Sequence, residues 1–143
     1  MIKNSSQICI DSNIVIRLVL GGPKAEELRE QWSEWVEKNV SLIAPPLFLF
    51  EITSVIWREV YQKTLTPSQG KKALVAALDQ DVQIEYPKNL HARAFEISHQ
   101  FNRPEAYDTH FVALAQHFKC EFWTLDKRLY NALKKELLWV RTI

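Results

Sequence analysis

Short apolar runs alternate along the chain with longer stretches in which apolar residues recur every three or four positions. Five runs have strand character: residues 8–10, 42–44, 82–86, 121–125 and 138–140. Over residues 24–38, Ala25, Leu28, Trp32, Trp35 and Val36 share one stripe with Glu26, Glu27, Glu30 and Glu34 opposite. That spacing predicts an amphipathic helix begun after the Gly21-Gly22-Pro23 break. A second helix is predicted from 46 to about 62. Thr66-Pro67-Ser68-Gln69 is a capping box with proline at the first helical position, opening a third through about 78. Leu90, Ala94, Ile97 and Phe101 form a further stripe, as do Tyr107, Phe111, Leu114 and Phe118, and a short helix is expected over 127–135. The element order reads β-α-β-αα-β-αα-β-α-β. Strands joined by helical crossovers cannot pair as hairpins, so the expected fold is a three-layer α/β/α domain with a central parallel sheet of about five strands. No linker, repeat or low-complexity tract interrupts residues 1–143, which predicts a single domain.

Composition narrows the picture. A 143-residue chain that is 47% hydrophobic and 24% charged can bury an ordinary core, which excludes a disordered or collagen-like chain. Its three glycines, Gly21, Gly22 and Gly70, leave no glycine-rich loop to cradle phosphates on backbone N–H groups. With 18 Lys+Arg against 17 Asp+Glu the net charge is +1, which argues against a dedicated sequence-blind nucleic-acid binder. The first seven residues are polar, without the apolar centre of a secretory signal, and no run approaches membrane-spanning length, so the expected location is cytoplasmic. Cys9 and Cys120 fall in apolar runs and read as small reduced core residues.

Four acids stand in positions that invite explanation. Asp11 closes the first strand and precedes the helical-looking residues 14–20. Strand carboxyl ends line the ligand crevice of an open α/β sheet, although Asp11 or Asn13 could equally cap the next helix. Glu51 falls on the apolar stripe of Leu47, Phe48, Ile52, Val55 and Ile56, where a lone carboxylate is costly unless it is paired, ligates a metal, or escapes to solvent or to Arg58. Asp108 occupies the first turn of a helix, and Asp126 ends the fourth strand before Lys127 and Arg128. Either could simply complement a helix dipole. Their coincidence in one small α/β domain points to a single carboxylate cluster.

Two carboxylates about 6 Å apart repel by roughly 3 kcal/mol at an effective dielectric near 20, so four together require a cation or protonation. All-oxygen ligation suits Mg²⁺ or Mn²⁺ rather than zinc. None of the histidine pairs, His91 with His99 or His110 with His117, has the spacing of a helical zinc site, and they read as surface or rim residues. Carboxylate-held Mg²⁺ mostly serves phosphoryl chemistry, activating a water nucleophile and neutralising charge on the scissile phosphate. Phosphodiester hydrolysis is therefore the leading reaction class.

Tyr107-Asp108-Thr109-His110-Phe111-Val112-Ala113-Leu114-Ala115, followed by Thr124-Leu125-Asp126-Lys127-Arg128-Leu129, resembles the acidic motifs of the PIN-domain ribonucleases, especially the VapC-type toxins of bacterial toxin–antitoxin pairs. Ile8-Cys9-Ile10-Asp11-Ser12-Asn13 and Pro46-Leu47-Phe48-Leu49-Phe50-Glu51 are similar to the first two motifs of the same family. The likeness covers nearly the whole chain. It implies that Asp11, Glu51, Asp108 and Asp126 hold one or two Mg²⁺ or Mn²⁺ ions and cut single-stranded RNA, with Asn13 and Thr124 orienting carboxylates by hydrogen bonds. It also implies a PIN-like fold, homodimers, and a cognate antitoxin whose C-terminal segment wraps the toxin. Ser54 departs from the pattern, since many relatives carry asparagine three residues after this glutamate.

Lys71, Lys72, Lys127 and Arg128 are candidates for holding RNA phosphates, or are ordinary solvated helix faces. Trp32, Trp35 and Trp57 could serve the core, a dimer surface or an antitoxin groove. Two other readings compete: a PIN-like binding module without turnover and a stand-alone RNA-processing nuclease. A receiver-like signalling domain would need an aspartate closing the third strand and a lysine closing the fifth, where the chain has Ile84-Glu85-Tyr86 and Val140-Arg141. The charge balance also changes meaning: without the four acids, 18 Lys+Arg face 13 Asp+Glu, a remainder of +5.

Overall fold

Ile8, Cys9 and Ile10 are all buried, and the strand they form lies at the middle of the sheet. A strand covered on both faces reads as a continuous apolar run rather than an alternating one. The computed structural model describes residues 6–143. In chain order the elements are β1 (Gln7–Ile10), α1 (Ser12–Leu20), α2 (Ala25–Glu37), β2 (Ser41–Ala44), α3 (Leu47–Tyr61), α4 (Pro67–Leu78), β3 (Val82–Ile84), α5 (Leu90–Gln100), α6 (Tyr107–Phe118), β4 (Glu121–Trp123), α7 (Lys127–Leu133) and β5 (Val140–Arg141).

The five strands are all parallel in the order β3-β2-β1-β4-β5. Helices flank them as the sequence predicts. α3 and α4 pack on each other and on α1, while α5 packs on α6, which lies against β1 and β4. The chain steps outward from β1 through β2 to β3, then returns to the other side of β1 for β4 and β5. The direction of winding therefore reverses between β1 and β4, the place where open α/β sheets bind ligands outside the strands' carboxyl ends.

The first crossover holds two helices where the sequence order counted one. Residues 14–20 belong to a true helix, α1. Gly21 ends it at φ 79°, its N–H donating to the Arg17 carbonyl at 2.8 Å, and Gly22 follows at φ 119°. Glycine adopts that conformation without the Cβ penalty. Three strands are shorter than their apolar runs. β5 is Val140–Arg141 rather than 138–140, because Leu138 points outward at 76% exposure while Val140 and Arg141 register with Phe122 and Trp123. β4 stops at Trp123: Thr124 N–H still reaches the Arg141 carbonyl at 3.0 Å, and the N–H groups of Leu125 and Asp126 turn to the side chains of Asn13 and Thr124. β3, at the sheet edge, ends at Ile84, although Glu85 N–H still reaches the Ala44 carbonyl at 3.0 Å.

The predicted capping box is present in full: Gln69 N–H donates to Thr66 Oγ1 at 3.1 Å and Thr66 N–H to Gln69 Oε1 at 2.9 Å. Cys9 and Cys120 are free thiols, Cys9 buried and Cys120 partly so. Trp35 is in the core, with Trp123 edge-on at 5.1 Å and half-buried Trp32 edge-on at 6.0 Å, whereas Trp57 is 61% exposed. Among the described residues no helix is long and apolar enough to cross a membrane.

Candidate active site

Asp11 follows β1 directly, and its N–H donates to the Trp123 carbonyl at 2.9 Å, fixing the end of β1 against β4. It stands at the N-cap of α1, yet its side chain makes no capping bond. The carboxylate turns into the protein and is 5% exposed. There it accepts from Thr124 Oγ1 at 2.8 Å and Asn13 Nδ2 at 3.3 Å, with Ser12 Oγ 3.4 Å away. The cap reading accounts for its position but not for its side chain.

Thr124 and Asn13 join β1–α1 to β4–α7. The Thr124 hydroxyl donates to Asp11 and accepts from Asn13 Nδ2 at 3.3 Å and from Asp126 N–H at 3.0 Å, filling its one donor and two acceptor sites. The Asn13 amide oxygen accepts the Leu125 N–H at 3.1 Å. Asp126, by contrast, does cap its helix, accepting from Arg128 N–H at 3.0 Å and Leu129 N–H at 3.2 Å through Oδ1. Its other oxygen takes no part in the cap.

Glu51 is half-buried on α3 and neither escapes to solvent nor turns to Arg58. Ser12 Oγ donates to its Oε1 at 2.9 Å. Asp108 is half-buried in the first turn of α6. Burial is the main cause that raises the pKa of Asp11 from 3.8 to about 7. Repulsion from Asp108 and Glu51 adds to it, and the Thr124 hydroxyl and Ser12 N–H oppose it. Burial also raises Glu51, with Asp108 contributing and Ser12 opposing. Burial and then Asp126 raise Asp108, against the pull of Arg103. Each of the four acids is thus linked electrostatically to at least one other, although they come from four separate segments of the chain.

Among the described residues no three His, Cys, Asp or Glu side chains stand close enough together to hold a metal ion between them. The donor chemistry nonetheless fits a hard divalent ion: oxygen ligands only, mutually repelling, two of them already oriented by Ser12, Asn13 and Thr124. Mg²⁺ in particular keeps several waters and binds through one or two carboxylates, so it does not need a complete protein cage.

The chain matches the PIN-domain family over residues 8–135, a span that contains all four acids. It belongs to that family. PIN domains are generally nucleases. The fold is similar to a chain in the crystal structure of VapBC2 from Rickettsia felis bound to a DNA fragment from their promoter, with a TM-score of 0.71, 11% identity, and 96% of this chain and 98% of that one covered. It is also similar to a chain in a toxin-antitoxin complex from Klebsiella pneumoniae, with a TM-score of 0.64, 16% identity, and 94% and 96% covered. No curated protein matches this PIN domain in sequence.

Of the residues expected to hold RNA in this PIN domain, Lys71 and Lys72 are exposed on α4, and Lys127 and Arg128 are exposed at the start of α7. Lys127 is partly engaged, its Nζ donating to the Ile143 carbonyl at 3.2 Å. Ser54 is exposed on α3 and the bond to Glu51 comes from Ser12 instead. Sequence reasoning gave Ser12 no role, because a serine between Asp11 and Asn13 carries no signal of a partner 39 residues away. It also treated His91 and His110 as unrelated, whereas they are hydrogen-bonded at 2.8 Å. A large surface cavity of about 830 Å³ opens at the amino ends of β1 and β4, beside Gln7, Cys120 and Trp139, and contains none of the four acids.

Proposed function

We propose that this PIN domain is a Mg²⁺- or Mn²⁺-dependent endoribonuclease that hydrolyses phosphodiester bonds in single-stranded RNA, working as the toxin of a VapBC-type pair. The observation that carries the reading is that burial and repulsion among the acids raise Asp11, Glu51 and Asp108, with Asp126 among the causes, within a chain of the PIN-domain family. Asp11, Glu51, Asp108 and Asp126 would hold the ion. Bound there, it supplies charge neutralisation at the scissile phosphate and activation of the attacking water.

The remaining work belongs to the chain. Thr124 and Asn13 fix the orientation of Asp11, and Ser12 fixes that of Glu51, so that the carboxylates meet an incoming ion with little reorganisation. Because burial and repulsion disfavour their charged forms, a cation is attracted to the site in competition with protons. Lys71, Lys72 and Arg128 are the side chains offered to phosphates along the bound strand. The toxin assignment is supported by the two similar structures, which are toxin–antitoxin complexes. On that reading a cognate antitoxin covers the site and the toxin acts as a homodimer.

Sequencing of RNA ends after induced expression tests this function. New ends confined to single-stranded regions are expected with the native chain and none with Asp108→Ala. Identical ends from the variant would overturn the assignment.

A further inference from the structure

On the same carboxyl edge of the sheet as the four acids lies a pocket of about 310 Å³ beyond β2 and β3. Its walls are almost wholly apolar. Pro46, Phe50, Tyr86, His91, Tyr107 and His110 form most of them, and three of its rings are largely in solvent: Phe50 at 71% exposure, Tyr86 at 61% and Tyr107 at 59%. Phe50 immediately precedes Glu51 and Tyr107 immediately precedes Asp108, so the helices that present two of the acids also present two of the rings.

One wall is held rigid by a directional chain of hydrogen bonds. His110 Nδ1 meets the Ala106 carbonyl at 2.5 Å, and a carbonyl only accepts, so Nδ1 carries the proton. In the neutral ring Nε2 is then an acceptor, and His91 Nδ1–H donates to it at 2.8 Å. His91 Nε2 in turn accepts the Tyr86 hydroxyl proton at 2.5 Å. The rings cross edge to face, His91 against His110 at 4.9 Å and Tyr86 against His91 at 5.4 Å between centroids. A relay that satisfies its own polar atoms leaves ring faces and edges to line the pocket.

The geometry points to this pocket as a nucleobase subsite: it takes one unstacked base of the RNA strand whose phosphate lies at the acids. Single-stranded RNA is gripped by stacking splayed bases on aromatic side chains, and a stack of this kind tolerates any base because each has a π-face. The pocket shares α3 and α6 with two of the acids, opens to solvent and is walled by preformed rings, which is what a base flanking the cut requires. The subsite rests on the ribonuclease reading and deepens it by naming a part of the substrate the pocket would hold.

The test uses single-stranded RNAs that each carry one abasic nucleotide, moved position by position past a mapped cut. They are digested by the intact protein and by Phe50→Ala, Tyr86→Ala and Tyr86→Phe, with thermal midpoints confirming that the variants are folded. The native protein is expected to lose about tenfold in kcat/KM when the base is missing at one fixed offset from the cut. The two alanine variants should cut unmodified RNA about tenfold more slowly and lose that dependence, while Tyr86→Phe, which keeps the ring but not the hydroxyl bond to His91, should keep the dependence at the same offset. RNA cut equally well wherever the abasic position falls would overturn the subsite alone, and RNA neither bound nor cut would overturn the nuclease reading with it. If Phe50→Ala and Tyr86→Ala instead turn a dimer into a monomer in sedimentation velocity while the abasic profile is unchanged, the face is a protein interface and the subsite is overturned.

Discussion

At Asp11 the folded chain holds a carboxyl at 5% exposure with its pKa raised from 3.8 to about 7, next to two further acids. A carboxyl whose folded pKa lies above its unfolded value binds protons more tightly when folded. Its contribution to stability is fully present below pH 3.8 and is lost as pH rises through about 7. At pH 8, without a divalent ion, the native chain should therefore carry a destabilisation on the order of 4 kcal/mol from this residue. Asp11→Asn removes the charge and keeps the shape. Its thermal midpoint in EDTA should exceed that of the native chain by several degrees at pH 8 and equal it near pH 4, as differential scanning calorimetry would read. Asp11 and Asp126 also mark the limit of what sequence shows about single residues. Both follow a strand and precede a helix, but only Asp126 uses its carboxylate as a cap. The difference comes from Thr124, 113 positions from Asp11, and no local pattern carries that contact.

Among elements, α3 and α4 approach each other closely at Gly70. A Cβ there would come within 2.3 Å of Val60 Cγ2, and a β-branched valine has little rotamer freedom in a helix to move aside. Gly70→Ala should lower stability by about 1 kcal/mol, the overpacking outweighing the gain in helix propensity. Adding Val60→Ala should remove the clash and recover part of the loss, and urea unfolding of the single and double variants would measure both. Helix starts were legible where side chains write them, as in Thr66 and Gln69. Helix ends were less so, because glycine is scarce and left-handed exits fall to Asn39 at φ 54°, Lys63 at 63°, Asn102 at 50° and Lys119 at 54°. The double helix of the first crossover was hidden for a related reason. The Gly21-Gly22-Pro23 break was read as the start of α2, without counting the helix that it also ends.

For the whole molecule, the alternation of apolar runs and helical stripes was enough to give a parallel α/β sheet, since crossovers leave few alternatives. It did not give the strand order, and strand order is what places the ends of β1 and β4 side by side. The four acids stood out in the sequence through their motifs, and Asn13 and Thr124, expected to orient carboxylates, are hydrogen-bonded to Asp11. Ser12 and the Tyr86–His91–His110 relay were not, because each depends on packing between helices distant in sequence. The net charge of +1 combines four partly or fully buried acids with a remainder of 18 Lys+Arg against 13 Asp+Glu, so near-neutrality is compatible with a polyanionic substrate. The central claim, that the coupled acids form a metal-dependent RNA-cutting centre, is tested most directly by digesting single-stranded RNA with purified native protein, Asp11→Ala and Asp108→Ala, in Mg²⁺ or Mn²⁺ and in EDTA. The account predicts cutting by the native protein with either ion, and cutting at background in EDTA and with both variants. Undiminished cutting in EDTA, or by either variant, would contradict it.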